Sequence, residues 1–246
     1  MRYKIVVEYD GTNLVGWQKQ KEGASAQEFL EKAIEGFSHQ KTEVFCAGRT
    51  DAGVHALAQV AHFDLSADLP EYKLRESINA WLRDLEAPVS VIDVQKVGDD
   101  FHARFSAKGR GYVYRILNRR APSPLRLNRV WCVSFDLDIE KMREGAKFLL
   151  GNHDFSSFRG AGCQAKSPVK TLDKLDIYQS GDEIVFEVEA RSFLYHQVRN
   201  MVGTLVLVGR GKLLPQDVKT ILEAKDRTKA GISAPASGLY LSKVWY

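Results

Sequence analysis

The ten residues from Cys46 to His55 bring together the side-chain types that most readily carry chemistry. The segment places Arg49, Asp51 and His55 around two glycines. Glycine permits a positive φ or the close approach of another backbone, so the spacing predicts that Asp51 lies on a tight turn. Polar loops braced by strands are where binding and catalytic residues concentrate. A solvated loop with an Asx-turn at Asp51 is the alternative that this segment alone leaves open.

Two distant residues could work with this loop. Arg199 lies in a strongly apolar helical pattern, where an arginine is rarely buried without an anionic partner, and the Asp51 carboxylate is one candidate for that partner. Snorkelling of Arg199 to water is the other interpretation. Tyr112 opens a predicted strand inside a basic stretch, and aromatic rings between cations are typical of proteins that stack unpaired bases. Most strand tyrosines only pack, a role for which Tyr114 is the better candidate.

Composition narrows the class of chemistry and the compartment. The three cysteines are widely spaced, with no Cys-x-x-Cys pair, and predict reduced, buried thiols in a cytoplasmic protein. The histidines show no spacing typical of a metal site, and no phosphate-binding glycine loop is present. We therefore expect no metal and no cofactor. No apolar run is long enough to predict a membrane span, and the first residues enter a strand pattern at once.

The net charge of +4 hides an asymmetry between two halves of the chain. Residues 1–105 contain 12 Lys and Arg against 17 Asp and Glu, whereas residues 106–246 contain 23 against 14. The stretch from Phe101 to Phe135 carries eight basic residues and no acid. Such clustering is typical of a surface that binds a polyanion, and nucleic acid is the favoured partner over an ordinary basic face.

Periodicity predicts an α+β protein made of two related halves. Residues 1–105 read as strand, helix, strand, strand, helix, strand, which is a split-βαβ (ferredoxin- or RRM-like) arrangement with an antiparallel sheet and helices on one face. Residues 106–246 repeat this theme with longer loops. The predicted domains are therefore 1–105, with the loop 46–55, and a basic domain 106–246, with Tyr112 and Arg199. We expect an active-site cleft between them that brings Asp51 close to Arg199 and Tyr112.

The residues 47–55 resemble the signature of the tRNA pseudouridine synthase A family. Five further motifs are similar to family motifs, occur in the same order and together span essentially the whole chain. They are Glu8–Gly11 with Gly16–Gln18, Asp100–Ala107, Arg110-x-Tyr112-x-Tyr114, His196–Gly203 and Gly238–Leu241. Gln197 departs from the methionine expected before Val198.

The resemblance implies isomerisation of uridine to pseudouridine at positions 38, 39 and 40 of the tRNA anticodon stem-loop. It implies that Asp51 is the catalytic nucleophile or base, that Tyr112 stacks on the target uracil and that Arg199 pairs with the aspartate. Arg49 would help to displace or hold the flipped nucleotide, and Leu239 would line the pocket. The family works as a homodimer in which one tRNA contacts both subunits.

Two other functions are alternatives to this one. A non-catalytic RNA-binding protein could use sheet aromatics, but it would not need a lone aspartate with an arginine partner. A metal-dependent hydrolase would need clustered acids or histidines, which the sequence does not show.

Overall fold

The computed structural model describes residues 1–246 and has a mixed α+β fold. In chain order its elements are β1 (Arg2–Tyr9), α1 (Ala26–Ser38), β2 (Phe45–Cys46), β3 (His55–Asp64), α2 (Glu71–Asp84), β4 (Val89–Val97), β5 (Gly109–Asn118), β6 (Trp131–Val133), α3 (Ile139–Lys147), β7 (Gly151–Asp154), β8 (Val169–Ser180), β9 (Glu183–Ala190), α4 (Gln197–Gly209), α5 (Asp217–Ala224) and β10 (Leu239–Trp245). None of the helices combines the length and apolar character needed to cross a bilayer.

The chain divides into two compact units. The first comprises Met1–Lys108 together with Tyr240–Tyr246, and the second comprises Gly109–Leu239. The change of unit after Lys108 lies three residues from the end of the predicted 1–105 range. The predicted 106–246 range differs from the second unit at its end, because Tyr240–Tyr246 cluster with the first unit.

The first unit has the predicted split-βαβ order. Strand β1 pairs antiparallel with β3 and with β4, and β2 pairs antiparallel with β3. The apolar alternation of Tyr3, Ile5, Val7 and Tyr9 predicts a half-buried strand, and in β1 these four side chains are buried whereas the intervening ones are not. Strand β10 also pairs with β3, in parallel, through Tyr240 and Leu241.

The helices of the first unit begin where the local sequence signals them. The Ser25 hydroxyl accepts the Glu28 backbone N–H and caps α1, which buries Leu30 and Ile34. Helix α2 starts directly after Pro70, and it buries Leu74 and Ile78. Burial of these apolar stripes against the unit's core stabilises the helices more than intrinsic propensity does.

The second unit is built on the antiparallel order β5-β9-β8-β7, with the short β6 parallel to β5. Aspartate favours the N-cap position, so the sequence predicts that Asp138 caps a helix, and its side chain caps α3 by accepting the Lys141 N–H. The apolar pattern predicts a helix from Phe193, but α4 begins only at Gln197 because His196 has a left-handed φ of 60°. Strand β7 lies at the start of a stretch, 153–167, that reads as a loop in the sequence.

All three cysteines are free thiols. Cys46 and Cys163 are half-buried, whereas Cys132 is exposed. The prediction of buried thiols was therefore wrong for Cys132, which lies on the three-residue strand β6, where only Val133 is buried.

Candidate active site

The loop between β2 and β3 forms the predicted turn at Asp51. The Val54 N–H donates to the Asp51 carbonyl at 3.1 Å, which closes a four-residue turn. Gly53 has a φ of +77°, a conformation that favours glycine. The side chain of Gln59, on β3, donates to the Gly48 carbonyl at 2.6 Å. Asp51 is therefore half-buried and lies on a turn with a defined backbone geometry.

A second segment, residues 11–17, holds this turn from the other side. The Trp17 N–H donates to the Thr50 carbonyl at 3.0 Å, and the Gly53 N–H donates to the Leu14 carbonyl at 3.3 Å. Asp51 itself forms a β-bridge with Gly16. The turn is thus clamped by backbone hydrogen bonds from a segment more than thirty residues earlier in the chain.

Glycine is required where the two segments meet. Gly16 has a φ of +112°, and a Cβ placed there would lie 2.5 Å from the Thr50 carbonyl oxygen. A Cβ at Gly11 would overlap the Val54 carbonyl. The glycines of Glu8–Gly11 and Gly16–Gln18 therefore let the backbone approach the Asp51 turn, a role that the sequence patterns alone do not reveal.

Buried polar side chains fix both flanks of the turn. The Tyr9 hydroxyl and the Thr50 hydroxyl are 2.7 Å apart in the interior. His55 is 2% exposed, and its Nδ1 accepts the Gly11 N–H at 3.0 Å while lying 3.2 Å from an Asp10 carboxylate oxygen. The His55 ring stacks on Tyr240 at 4.7 Å between centroids. His55 is a structural part of the loop, since its ring is enclosed rather than presented.

The neighbouring Cys46 is not a competing nucleophile. Burial raises the pKa of its thiol to about 12, against the opposing positive charges of Arg49 and Arg104. The thiol is protonated at neutral pH and therefore weakly nucleophilic. Arg49 is exposed next to the turn. The loop thus offers one carboxylate and one accessible guanidinium for chemistry.

In the second unit, Tyr112 lies on β5 opposite Val188 of β9. Its half-buried ring packs edge-to-face against Phe193 at 5.1 Å. Tyr114, two residues along the same face, is fully buried and donates its hydroxyl to the Pro235 carbonyl at 2.8 Å. Burial raises the pKa of Tyr114 far above its usual range. The packing role that the sequence favours for Tyr114 is confirmed, whereas Tyr112 retains a partly accessible ring.

Arg199 lies in the first turn of α4 and is held by backbone groups. Its Nε donates to the Ala234 carbonyl at 2.7 Å, and the Ala234 N–H donates to the Arg199 carbonyl at 3.1 Å. One Nη lies 3.1 Å from Nε2 of His196. Burial, with the charges of Arg199 and Arg227, lowers the pKa of His196 to about 4. The ring is therefore neutral at pH 7, and Nε2 can accept a hydrogen bond from the Arg199 guanidinium. These contacts use two of the five guanidinium N–H groups.

The segment 231–234 that carries Ala234 is itself fixed to α4. The Gly231 N–H donates to the Thr204 hydroxyl at 2.9 Å, and the Ser233 hydroxyl donates to the Asn200 side-chain oxygen. A Cβ on Gly203 would overlap the Ile232 carbonyl, so the segment 231–234 can lie against α4 only because position 203 is glycine. This strap, residues 231–234, fixes the orientation of the Arg199 side chain.

The five predicted site residues fall into two groups. Arg49 and Asp51 belong to the first unit, whereas Tyr112, Arg199 and the buried Leu239 belong to the second. Their assembly in one cleft stays a prediction. No group of three or more His, Cys, Asp or Glu side chains is arranged as metal ligands would be.

Comparison with known proteins bears on the whole chain. A family described as tRNA pseudouridine synthase matches residues 5–106 and 146–246. A tRNA pseudouridine synthase A of Paramagnetospirillum magneticum is 56% identical over 245 residues, covering 100% of this chain and 95% of the relative. The proteins of the same name from Rhodospirillum centenum and Ehrlichia chaffeensis are 54% and 51% identical, over 100% of this chain and 99% and 100% of their own lengths.

A solved structure entitled "Crystal Structure of a Cbf5-Nop10-Gar1 Complex" aligns with 97% of this chain, at a TM-score of 0.39 and 11% identity. The chain spans about half, 48%, of that protein. None of these comparisons favours a non-catalytic RNA-binding protein.

Proposed function

The chain belongs to the tRNA pseudouridine synthase family, and we propose that it isomerises uridines 38, 39 and 40 of the tRNA anticodon stem-loop, with Asp51 as the catalytic nucleophile or base. The reaction breaks the bond between N1 of uracil and C1′ of ribose and forms a bond between C5 and C1′. The C5 hydrogen is lost as a proton, and N1 gains one. Such a reaction needs a charged group at a fixed place, shielded from competing water.

The observation that carries this proposal is the construction of the Asp51 turn. Two backbone hydrogen bonds from residues 14–17, the β-bridge to Gly16 and the turn-closing bond fix the backbone at Asp51. A carboxylate that is held in place before the substrate arrives avoids much of the reorganisation cost of the reaction. An ordinary solvated loop would not need this clamp.

The other proposed roles follow the sequence resemblance, and for Tyr112 and Arg199 the contacts of the side chains are consistent with those roles. Tyr112 would stack on the extruded uracil, since its ring is half-buried and held edge-to-face by Phe193. Base stacking worth roughly 1–3 kcal/mol would offset much of the cost of extrusion. Arg199, with N–H groups left beyond Ala234 and His196, would pair with the Asp51 carboxylate and keep it ionised. Arg49 would displace or hold the flipped nucleotide, and Leu239 would line the pocket.

We propose in addition that the enzyme binds tRNA as a homodimer in the cytoplasm, with one tRNA contacting both subunits, and that it needs no cofactor. The basic residues of 106–246 would bind the phosphates of the tRNA through salt-sensitive contacts. The family resemblance is the support for the dimer.

The decisive experiment is a pseudouridine map of tRNA before and after treatment with the purified protein. The substrate should be an unmodified transcript with uridines at positions 38, 39 and 40 and elsewhere. New pseudouridine confined to those three positions would support the proposal. Pseudouridine at other positions would contradict the site choice, and none at all would contradict the activity. Mass analysis of the protein in solution would test the dimer.

A further inference from the structure

Phe105 is the most anomalous side chain of the first unit. It is a large aromatic residue with 77% of its surface exposed. A single exposed apolar side chain is common on protein surfaces, whereas a contiguous group of exposed rings indicates an interaction site. Its motif, residues 100–107, has no role in the function proposed above.

Phe105 belongs to a cluster of four rings. Phe45 stacks on His62 at 5.2 Å between centroids, His62 lies 4.6 Å from His102, and His102 lies 4.4 Å from Phe105. His62 is buried, whereas Phe45 is 40% exposed. This ring cluster (Phe45, His62, His102 and Phe105) therefore runs from the interior to the surface and ends in the exposed face of Phe105.

The loop that carries Phe105 is preorganised. The backbone N–H groups of Arg104 and Phe105 both point at Nδ1 of His102, at 3.1 and 3.4 Å. The Ser106 N–H donates to the His102 carbonyl, and the Ser106 hydroxyl accepts the His102 N–H, each at 2.9 Å. Burial is the main cause that lowers the pKa of His102, so its ring is neutral and Nδ1 can accept these bonds.

Ala103 anchors the same loop to the interior. Its N–H donates to Nδ1 of the buried His62 at 3.2 Å, and its carbonyl accepts the Tyr246 hydroxyl at 2.8 Å. Phe105 is therefore exposed because the loop holds it out, and not because the loop lacks internal structure. A rigid exposed ring loses little conformational entropy when a flat partner stacks on it.

The charges beside Phe105 indicate the chemistry of that partner. The Arg104 guanidinium lies 5.9 Å from the centre of the Phe105 ring. Arg104 is the first of the eight basic residues in the acid-free stretch from Phe101 to Phe135. An aromatic face next to an arginine suits a nucleobase followed by its phosphate.

We propose that Phe105 stacks on an unpaired base of the bound tRNA, while Arg104 binds a phosphate of the same strand. This inference rests on the proposed tRNA function and adds a substrate contact on the first unit. Phe105 would act in binding and in the choice of substrate, not in the chemical step.

The test compares Phe105→Ala and Phe105→Leu with wild type in tRNA binding and turnover. Loss of a stacked base should raise the Kd for tRNA about 5- to 100-fold in both variants, because leucine is apolar but has no ring. KM should rise with Kd, and kcat at saturating tRNA should change less than about threefold. Tyr72→Ala is the matched control, since Tyr72 is an exposed aromatic residue of α2, 56% exposed. It should bind tRNA like wild type.

The stacked base can be identified with full-length tRNA transcripts that each lack one unpaired base. One abasic position should weaken binding to wild type as much as the Phe105→Ala change does, and should weaken binding to Phe105→Ala no further. Wild-type affinity in Phe105→Ala or in Phe105→Leu would overturn the inference. A smaller mass of Phe105→Ala in solution would also overturn it and assign the ring to an interface between copies. Failure of the wild-type protein to form pseudouridine would instead contradict the proposed function.

Discussion

The Asp51 turn and the first turn of helix α4 each hold a charged side chain, but different kinds of hydrogen bond hold them. Each must hold one charged side chain in place, and each is braced by a segment distant in sequence. At Asp51 the bracing bonds join backbone groups of 14–17 to backbone groups of 50–53. At Arg199 the guanidinium is itself one of the bonded groups, since its Nε donates to the Ala234 carbonyl.

This difference determines whether a substitution changes activity alone or changes stability as well. The bonds that shape the Asp51 turn remain when the carboxylate is changed, because they are made by the main chain. The Arg199 side chain has two roles. Its Nε–H binds the Ala234 carbonyl of the strap, and its remaining N–H groups are the ones proposed to pair with Asp51. We therefore expect changes at Asp51 to affect activity alone and changes at Arg199 to affect both activity and stability.

The largest expected effect is that of Asp51→Asn. Because asparagine keeps the shape and the backbone bonds but not the charge, turnover should fall by about 10³-fold or more, and the free energy of unfolding should change by less than about 0.5 kcal/mol. Tritium release from tRNA labelled at C5 of uridine measures the first quantity, and urea denaturation the second. Asp68→Asn, which changes an exposed carboxylate of the same unit, should leave turnover normal. Normal turnover by Asp51→Asn would remove Asp51 from the mechanism.

The next largest effect is expected for Gly16→Ala, which disturbs the contact between residues 11–17 and the Asp51 turn. The added Cβ meets the Thr50 carbonyl oxygen at 2.5 Å and must adopt a φ of +112°, so the free energy of unfolding should fall by about 2–3 kcal/mol and activity should fall with it. Gly162→Ala is the control, because Gly162 has a φ of +76° but open space around its Cβ position. It should cost only about 1 kcal/mol. Equal losses in the two variants would show that close approach at Gly16 does not matter.

Arg199→Lys tests the double duty of the arginine. Lysine keeps the charge but lacks the Nε donor, so the Ala234 carbonyl loses its partner and the free energy of unfolding should fall by about 1–2 kcal/mol. Turnover should fall as well. Arg143→Lys is a matched control, since Arg143 likewise donates Nε to a backbone carbonyl, that of Ile177, at 2.7 Å. It should lose stability but not activity. An Arg199→Lys variant as stable as wild type would show that the bond from Nε to the Ala234 carbonyl does not contribute to stability.

The last prediction concerns pH, and it involves one histidine of each unit. His62 and His196 each have a pKa lowered to about 4, mainly by burial, whereas the unfolded chain takes up these protons near pH 6.5. The unfolded state therefore binds more protons between these values, and stability should fall as the pH falls from about 6.5 to about 4. His196→Asn, which tolerates the left-handed φ, should reduce this slope without removing it, because His62 remains. Urea denaturation at several pH values would measure both slopes, and an unchanged slope would exclude His196 as a contributor.

Local signals in the sequence predicted much of this architecture. The caps at Ser25 and Asp138, the alternation of β1 and the turn at Asp51 depend on residues within a few positions of each other, and all four are confirmed. The late start of α4 could not be read, since Phe193 to His196 fit the apolar pattern and only the backbone at His196 stops it.

The features that the sequence did not reveal depend on distant pairing. Strand β7 has four residues and little apolar periodicity, and it is a strand because it pairs with β8. The clamp of 11–17 on the Asp51 turn and the strap of 231–234 on α4 likewise join segments about thirty residues or more apart. Local periodicity carries no information about such contacts, so the candidate residues could be named but their supports could not.

The pairing of β3 with β10 has a consequence for the order of folding. It joins His55 to Tyr240 and Ala56 to Leu241 across nearly the whole chain. The entropy lost on closing a loop rises with its length, so we expect this edge to form after the pairs of β1 with β3 and β4, whose partners lie closer in sequence. The His55 ring, which ends the Asp51 loop, stacks on Tyr240 only at that stage. The reactive loop is therefore completed late, and a partly folded chain would hold its carboxylate in a loop not yet closed at this end.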